Sequence, residues 1–215
     1  MTKNTYKKQK NTFKYLVGID EAGRGPLAGP VAVGIFCVEM SKTVTQTNKN
    51  LRKLFVDAKD SKKMSHKKRV EVFEKIKSAQ KGKKIEYFVF MESAKNIDKN
   101  GISWAIKNCI KRGLSKLKVD PRETLVLLDG SLKAPKEYIN QKTIIKGDDK
   151  EIVISLASIC AKVNRDRYMV KIAKKYPKYA FDIHKGYGTL KHRTFISKYG
   201  VTEEHRKTFL RNLIK

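Results

Sequence analysis

Three times in this chain an apolar run ends in carboxylates. Tyr15-Leu16-Val17-Gly18-Ile19 runs into Asp20-Glu21, Thr124-Leu125-Val126-Leu127-Leu128 into Asp129-Gly130, and Thr143-Ile144-Ile145 through Lys146-Gly147 into Asp148-Asp149. The first run has the length and branched content of a buried strand, the second reads as a fully buried strand, and the third is short and β-branched. Carboxylates at neighbouring strand ends can converge on one point, where they would repel. Two charges about 4 Å apart cost roughly 1 kcal/mol even at full dielectric screening, and several times that in a cleft. Bound divalent cations reverse the sign. Oxygen ligands suit Mg²⁺ or Mn²⁺, and two such ions about 3.5–4 Å apart stabilise both the attacking and the leaving oxygen of a phosphodiester displacement.

The first acid pair is followed by Gly23-Arg24-Gly25-Pro26-Leu27-Ala28-Gly29-Pro30. Three glycines and two prolines forbid a helix there and let bare backbone approach a partner closely, while Arg24 adds a fixed cation. Acid pair, bare backbone and guanidinium at one strand end point to a metal and a phosphate ester meeting there. The bland alternative is a solvated turn. A dinucleotide fingerprint, Gly23-x-Gly25-x-x-Ala28, would have to open a helix, and Pro26, Pro30 and the strand-like run Val31 to Val38 argue against it. Two further candidates touch nucleic acid chemistry. Lys62 and Lys63, in a loop before a helix N-terminus, could hold a phosphate, against the alternative of an ordinary solvated pair. Tyr187, between Gly186 and Gly188, could stack on a sugar or donate to a 2′-OH, against the alternative of a turn residue packing its ring.

The elements that must position these residues are largely readable. Val31 to Val38 and Lys84 to Met91 have strand composition, Glu39 to Asn50 reads as a polar loop, and Ser65 caps a helix bearing Val70, Phe73 and Ile76. Helical spacing runs from Ile102 to Leu117, from about Ile154 to Tyr176 and from about Leu190 to Tyr199, and Thr202 is a candidate cap for a last short helix. Trp104 reads as core or edge packing rather than a base-stacking platform.

The 215 residues suit one domain with a proper core. With 49 Lys and Arg against 21 Asp and Glu the formal charge is +28, a field that favours a polyanionic partner. An apolar share of 40% excludes a disordered chain. Cys37, Cys109 and Cys160 are odd in number and widely spaced, which fits free thiols in a reducing, cytoplasmic setting. Met1 to Lys14 is lysine-rich without an apolar core and reads as a flexible basic arm preceding a catalytic domain over 15–215. No apolar run is long enough to span a membrane.

Taken together and in this order, Gly18-Ile19-Asp20-Glu21-Ala22-Gly23-Arg24-Gly25-Pro26-Leu27-Ala28-Gly29-Pro30, Asp60-Ser61-Lys62-Lys63, Leu128-Asp129-Gly130, Lys146-Gly147-Asp148, Ala157-Ser158-Ile159-Cys160-Ala161-Lys162-Val163 with Arg165-Asp166, and His184-Lys185-Gly186-Tyr187 resemble ribonuclease HII, the bacterial type 2 ribonuclease H. The resemblance implies an α/β fold of ribonuclease H type: a mixed sheet flanked by helices, with a C-terminal helical part. It implies an endoribonuclease, a monomer, that cleaves the RNA strand of RNA–DNA hybrids and incises duplex DNA on the 5′ side of a lone ribonucleotide, leaving 3′-hydroxyl and 5′-phosphate ends. Its four catalytic and metal-binding acids fall on Asp20, Glu21, Asp129 and Asp148, with Mn²⁺ or Mg²⁺ as a two-ion cofactor and Asp20 as the ligand shared by both ions. Gly23, Arg24, Gly25 and Tyr187 fall where the family reads the 2′-OH and the junction to DNA. Asp149 directly follows Asp148, so the fourth acid has an alternative one position on, and Glu151-Ile152-Val153 stands where the family often has a proline. The related ribonuclease HIII family usually has a lysine at the position of Arg24. The alternative from another class is a non-catalytic basic nucleic-acid-binding protein, which explains the charge but not three strand ends finishing in Asp.

Overall fold

A computed structural model of the chain describes residues 13–60, 64–82 and 84–211. Five strands, β1 (Tyr15–Ala22), β2 (Val31–Glu39), β3 (Ile85–Glu92), β4 (Thr124–Asp129) and β5 (Gln141–Ile144), form one sheet in the order β3-β2-β1-β4-β5. It is mixed: β2 runs antiparallel to β1 and β3, while β1, β4 and β5 run parallel. Helices α1 (Val44–Leu54) and α2 (His66–Ala79) follow β2, and α3 (Ala94–Asn100) and α4 (Ile102–Leu117) follow β3. Beyond β5 come α5 (Gly147–Lys150), α6 (Ile152–Lys175), α7 (Phe181–His184) and α8 (Leu190–Tyr199).

Alternation along the strands sorts the core into two layers. Leu16, Phe36, Leu125 and Leu127 pack under α1, α2 and α6. Their strand neighbours Val17, Ile35, Val126 and Leu128 pack under α3 and α4 on the opposite face. Because both faces are covered, β1 and β4 read as continuous apolar runs rather than alternating ones. Helix α6 lies directly on the sheet: a Cβ added at Gly18 would stand 2.2 Å from the Val153 carbonyl carbon, so only glycine admits that approach. The far end of α6 carries a smaller cluster of Ala28, Met169, Ile172, Tyr179 and Phe181, which seats α7, α8 and the tail.

Most elements fall where the sequence puts them, including the Ser65 cap on α2, α4 over Ile102–Leu117 and α8 over Leu190–Tyr199. Two expectations are corrected. Glu39 to Asn50 is not a loop throughout, because α1 starts at Val44 with Thr43 as its cap. Its buried side includes Thr47 and Asn48, whose hydroxyl and amide N–H donate to the Thr43 carbonyl and the Glu151 carboxylate, so the apolar stripe is too thin to read. Thr202 caps no α-helix: its hydroxyl is taken up by His205 Nδ1 and the Glu204 N–H, and among the described residues the tail makes only a 3₁₀ turn, Lys207–Phe209. Trp104 is 42% exposed on α4. All three cysteines are buried free thiols. Among the described residues no helix is long and apolar enough to cross a membrane. The arm expected over Met1 to Lys14 lies outside the described residues except for its last two; Lys14 is held by backbone bonds to Glu123 and Met40.

Candidate active site

The parallel pairing of β1 with β4 sets Ile19 beside Leu128, so the next residues, Asp20 and Asp129, stand side by side at the strand ends. Parity places both on the face that packs under α6, since Asp20 follows Leu16 and Gly18 while Asp129 follows Leu125 and Leu127. Glu21 is one residue on and starts from the other face. The Asp129 Oδ1 accepts the Gly147 N–H at 2.6 Å, which ties the turn before Asp148 to the end of β4. Asp148 is buried and Asp149 exposed, so the two adjacent acids face different surroundings.

Asp20, Glu21 and Asp129 line one side of a cleft of about 380 Å³. Asp148 is not in its lining, although its neighbour Gly147 is bonded to Asp129. Gly23, Arg24, Gly25 and Tyr187 line the same cleft. Gly23 adopts φ +84°, and a Cβ there would overlap the Arg165 Nε at 1.9 Å, so the turn requires glycine twice over. The Arg24 guanidinium reaches Glu21 Oε1 at 3.3 Å. Tyr187 is 44% exposed, with Lys162 Nζ 5.7 Å and the Arg165 guanidinium 5.8 Å from its ring centre.

The cleft holds its acids under electrostatic strain. Asp20 is 5% exposed, and burial first, then the charges of Asp129 and Glu21, push its pKa up to about 8. A Ser158 hydroxyl bond and the Glu21 N–H, 2.7 Å from Oδ1, oppose that rise without cancelling it. Glu21 is raised in the same direction, chiefly by burial, with Arg24 pulling against it. The donor set is all oxygen, and Asp20 and Glu21 are both held above their usual carboxylate range, which fits a hard divalent cation. Among the described residues no three Asp, Glu, His or Cys side chains are already grouped as a metal-holding set. Mg²⁺ needs only one or two carboxylates besides water and substrate phosphate, so the pair at the strand ends is a sufficient start.

Sequence reasoning gave no role to three residues of this cleft. Ser158 and Lys162 come from α6, one turn apart, and Lys162 is paired at 2.8 Å with Asp166, itself another turn on. Their i, i+4, i+8 spacing was visible, but a helix buried on most sides carries no mark of which stripe faces a cleft. Arg69 enters from α2, with a guanidinium N–H donated to the Met64 carbonyl at 2.9 Å. Lys62 and Lys63 lie outside the described residues.

The family model for ribonuclease HII matches residues 17–213. A ribonuclease HII of Caldicellulosiruptor bescii is 42% identical over 202 residues, 94% of this chain and 89% of that protein. One of Fusobacterium nucleatum is 41% identical over 208 residues, covering 94% and 89%. Among solved structures, the complex of PCNA with ribonuclease HII from Archaeoglobus fulgidus aligns with a TM-score of 0.69 at 25% identity, over 89% of this chain and 93% of that one. Ribonuclease H2 from Pyrococcus horikoshii gives the same score at 23% identity, over 93% and 96%, and shares the fold. With the paired acids, the glycine turn and the tyrosine wall in one cleft, the chain belongs to the ribonuclease HII family of metal-dependent endoribonucleases.

Proposed function

We propose that this protein hydrolyses the RNA strand of RNA–DNA hybrids and incises duplex DNA on the 5′ side of embedded ribonucleotides. The observation that carries the reading is the side-by-side placement of Asp20 and Asp129 at the ends of paired parallel strands, with Asp20 driven up to about 8. Asp20, Glu21, Asp129 and Asp148 are the residues that would hold Mn²⁺ or Mg²⁺. Divalent ions held there supply an acidified attacking water and charge to balance the departing 3′-oxygen. Water oxygen becomes part of the 5′-phosphate and the P–O3′ bond breaks, leaving a 3′-hydroxyl.

The chain's own residues do the rest. Burial under α6 and the Ser158 bond keep the Asp20 carboxyl in one orientation. Arg24 and Lys162 put positive charge on the rim where a phosphodiester enters, and Lys62 and Lys63 would take a neighbouring phosphate. The Gly23–Gly25 backbone and Tyr187 stand where a ribose could lie, and a 2′-OH offers them a donor and acceptor that deoxyribose lacks. Residues 1–14 would act as a basic arm on the nucleic acid.

The test is a labelled DNA duplex with one ribonucleotide, run beside an all-DNA duplex, in Mg²⁺ or Mn²⁺ and in chelator. Expected is metal-dependent incision 5′ to the ribonucleotide only, lost in Asp129→Asn while duplex binding persists. Binding without cleavage in either metal would reject the enzyme reading in favour of a basic nucleic-acid-binding protein.

A further inference from the structure

Two arginines are fully buried, Arg165 on α6 and Arg206 in the tail, and neither guanidinium is bonded to a carboxylate. Both spend their donors on carbonyls of one short stretch, the glycine turn of the cleft. Arg206 Nη2 donates to the Gly23 carbonyl at 2.6 Å, Nη1 to Arg24 at 2.9 Å and Nε to Gly29 at 3.0 Å. Arg165 takes the next carbonyls, Ala28 at 3.2 Å and Pro30 at 2.9 Å. Burying a guanidinium without a counter-ion is costly, and the fork repays it only where several acceptors converge.

The consequence follows from the trans peptide. C=O and N–H of one peptide unit point in opposite directions. Turning the Gly23 and Arg24 carbonyls onto Arg206 therefore turns the N–H groups of Arg24 and Gly25 away from it, and both residues line the cleft. The later N–H groups of the turn are engaged: Leu27 and Ala28 donate to the Gly186 carbonyl and Gly29 to Glu204. Among the described residues the Arg24 and Gly25 N–H groups donate to no other backbone group.

Resting on the ribonuclease reading above, we propose that Arg206 is a specificity-determining positioning residue: it clamps the glycine turn so that the Arg24 and Gly25 amides are held as a donor pair for the ribose. Its own place is fixed from outside the cleft. The Arg206 N–H donates to the Leu27 carbonyl at 2.8 Å, and Asp98 on α3 accepts the N–H groups of Lys207 and Thr208 and the Thr208 hydroxyl. Lysine at 206 would keep the charge but offers a point donor in place of a three-way fork.

The experiment is ¹⁵N amide spectroscopy of the full chain in chelator, titrated with a duplex carrying one ribonucleotide and with the all-DNA duplex, beside affinity for each. In the wild type the Arg24 and Gly25 amides should respond to the ribonucleotide duplex well beyond their response to DNA, while the engaged Leu27, Ala28 and Gly29 amides should not. In Arg206→Lys and Arg206→Gln, with thermal midpoints confirming a fold, that difference should vanish and the ratio of the two affinities should drop about tenfold or to unity. A folded variant that keeps both the ratio and the amide response overturns the proposal. So do wild-type amides blind to the ribonucleotide, an outcome that decides the matter even if neither variant folds. Wild-type incision with metal, run in parallel, separates this from failure of the ribonuclease reading, which would show as no selective cleavage at all.

Discussion

Asp20 is where stability and chemistry pull against each other. Its carboxyl has a folded pKa near 8 against an ordinary 3.8, so between those values the folded protein holds a proton that the unfolded chain releases. Stability from this group is therefore full below about pH 4 and lost as pH rises through 8, in the absence of a cation. Asp20→Asn in chelator should stabilise the fold at pH 8 by on the order of a few kcal/mol, read as a raised thermal midpoint, and leave the midpoint unchanged at pH 4. An unchanged midpoint at pH 8 would mean the carboxyl is not strained. The same proton must leave when a cation binds, so Mn²⁺ affinity measured by calorimetry should climb from pH 6 to 8 and then level. Tyr187 makes a separate case. Stacking on a sugar or base contributes about 1–3 kcal/mol, so Tyr187→Ala should slow incision at a single ribonucleotide roughly five- to a hundredfold, and Tyr187→Phe isolates the share of the hydroxyl. An unaltered rate in Tyr187→Ala would remove the ring from the reading of the junction.

At the scale of elements, the Tyr187 turn rests on a cluster of three histidines, His184, His192 and His205. The Thr202 N–H donates to His205 Nδ1, which leaves the His205 Nε2–H to donate to His192 Nε2 at 3.1 Å, and His192 Nδ1–H to donate to the Tyr187 carbonyl at 2.9 Å. His184 stacks on His192 at 4.2 Å and accepts the Gly186 N–H. This relay works only with neutral rings. Burial lowers His192 and His205 from 6.5 to about 4, so between those values the unfolded chain takes up protons that the folded one refuses. Stability then falls on acidification from about pH 6.5 to 4. His205→Gln should flatten the pH dependence of the thermal midpoint across that window, and an equally steep curve would discount the relay. The helices show what pattern reading can reach: α4 and α8 were read over the ranges they occupy, Ile102–Leu117 and Leu190–Tyr199. The first helix was not, because Thr47 and Asn48 fill its buried side with polar atoms whose partners, Thr43 and Glu151, include one about a hundred residues away.

Over the whole molecule, a charge of +28 on a folded surface makes affinity for a polyanion salt-dependent whatever the chemistry in the cleft. Binding to duplex DNA should weaken with log salt at a slope near −0.9 per phosphate contact, and chelator should leave that slope unchanged while stopping cleavage. A chain starting at residue 13 should show a shallower slope if the arm touches phosphate; identical slopes would confine binding to the folded body.

By itself the sequence determined that apolar runs lead into acids, that a glycine turn follows the first pair, and that the chain is strongly cationic, because these are properties of neighbours along the chain. Asp20, Glu21 and Asp129 were legible in that way. That β1 continues through Asp20 and Glu21 to Ala22 and that Asp148 sits in α5 were not. Nor was it legible which strand ends meet. Asp20 and Asp129 come together because β4 pairs with β1 in parallel, with Ile19 beside Leu128, and strand order is settled by packing across both sheet faces. Tertiary structure alone also decided that Asp148 is buried beside an exposed Asp149, that α6 turns Ser158 and Lys162 toward the acids, and that Arg206 lies under Gly23 and Arg24. Each is a contact between residues far apart in the chain, and no local pattern encodes the direction in which a buried side chain finds its partner.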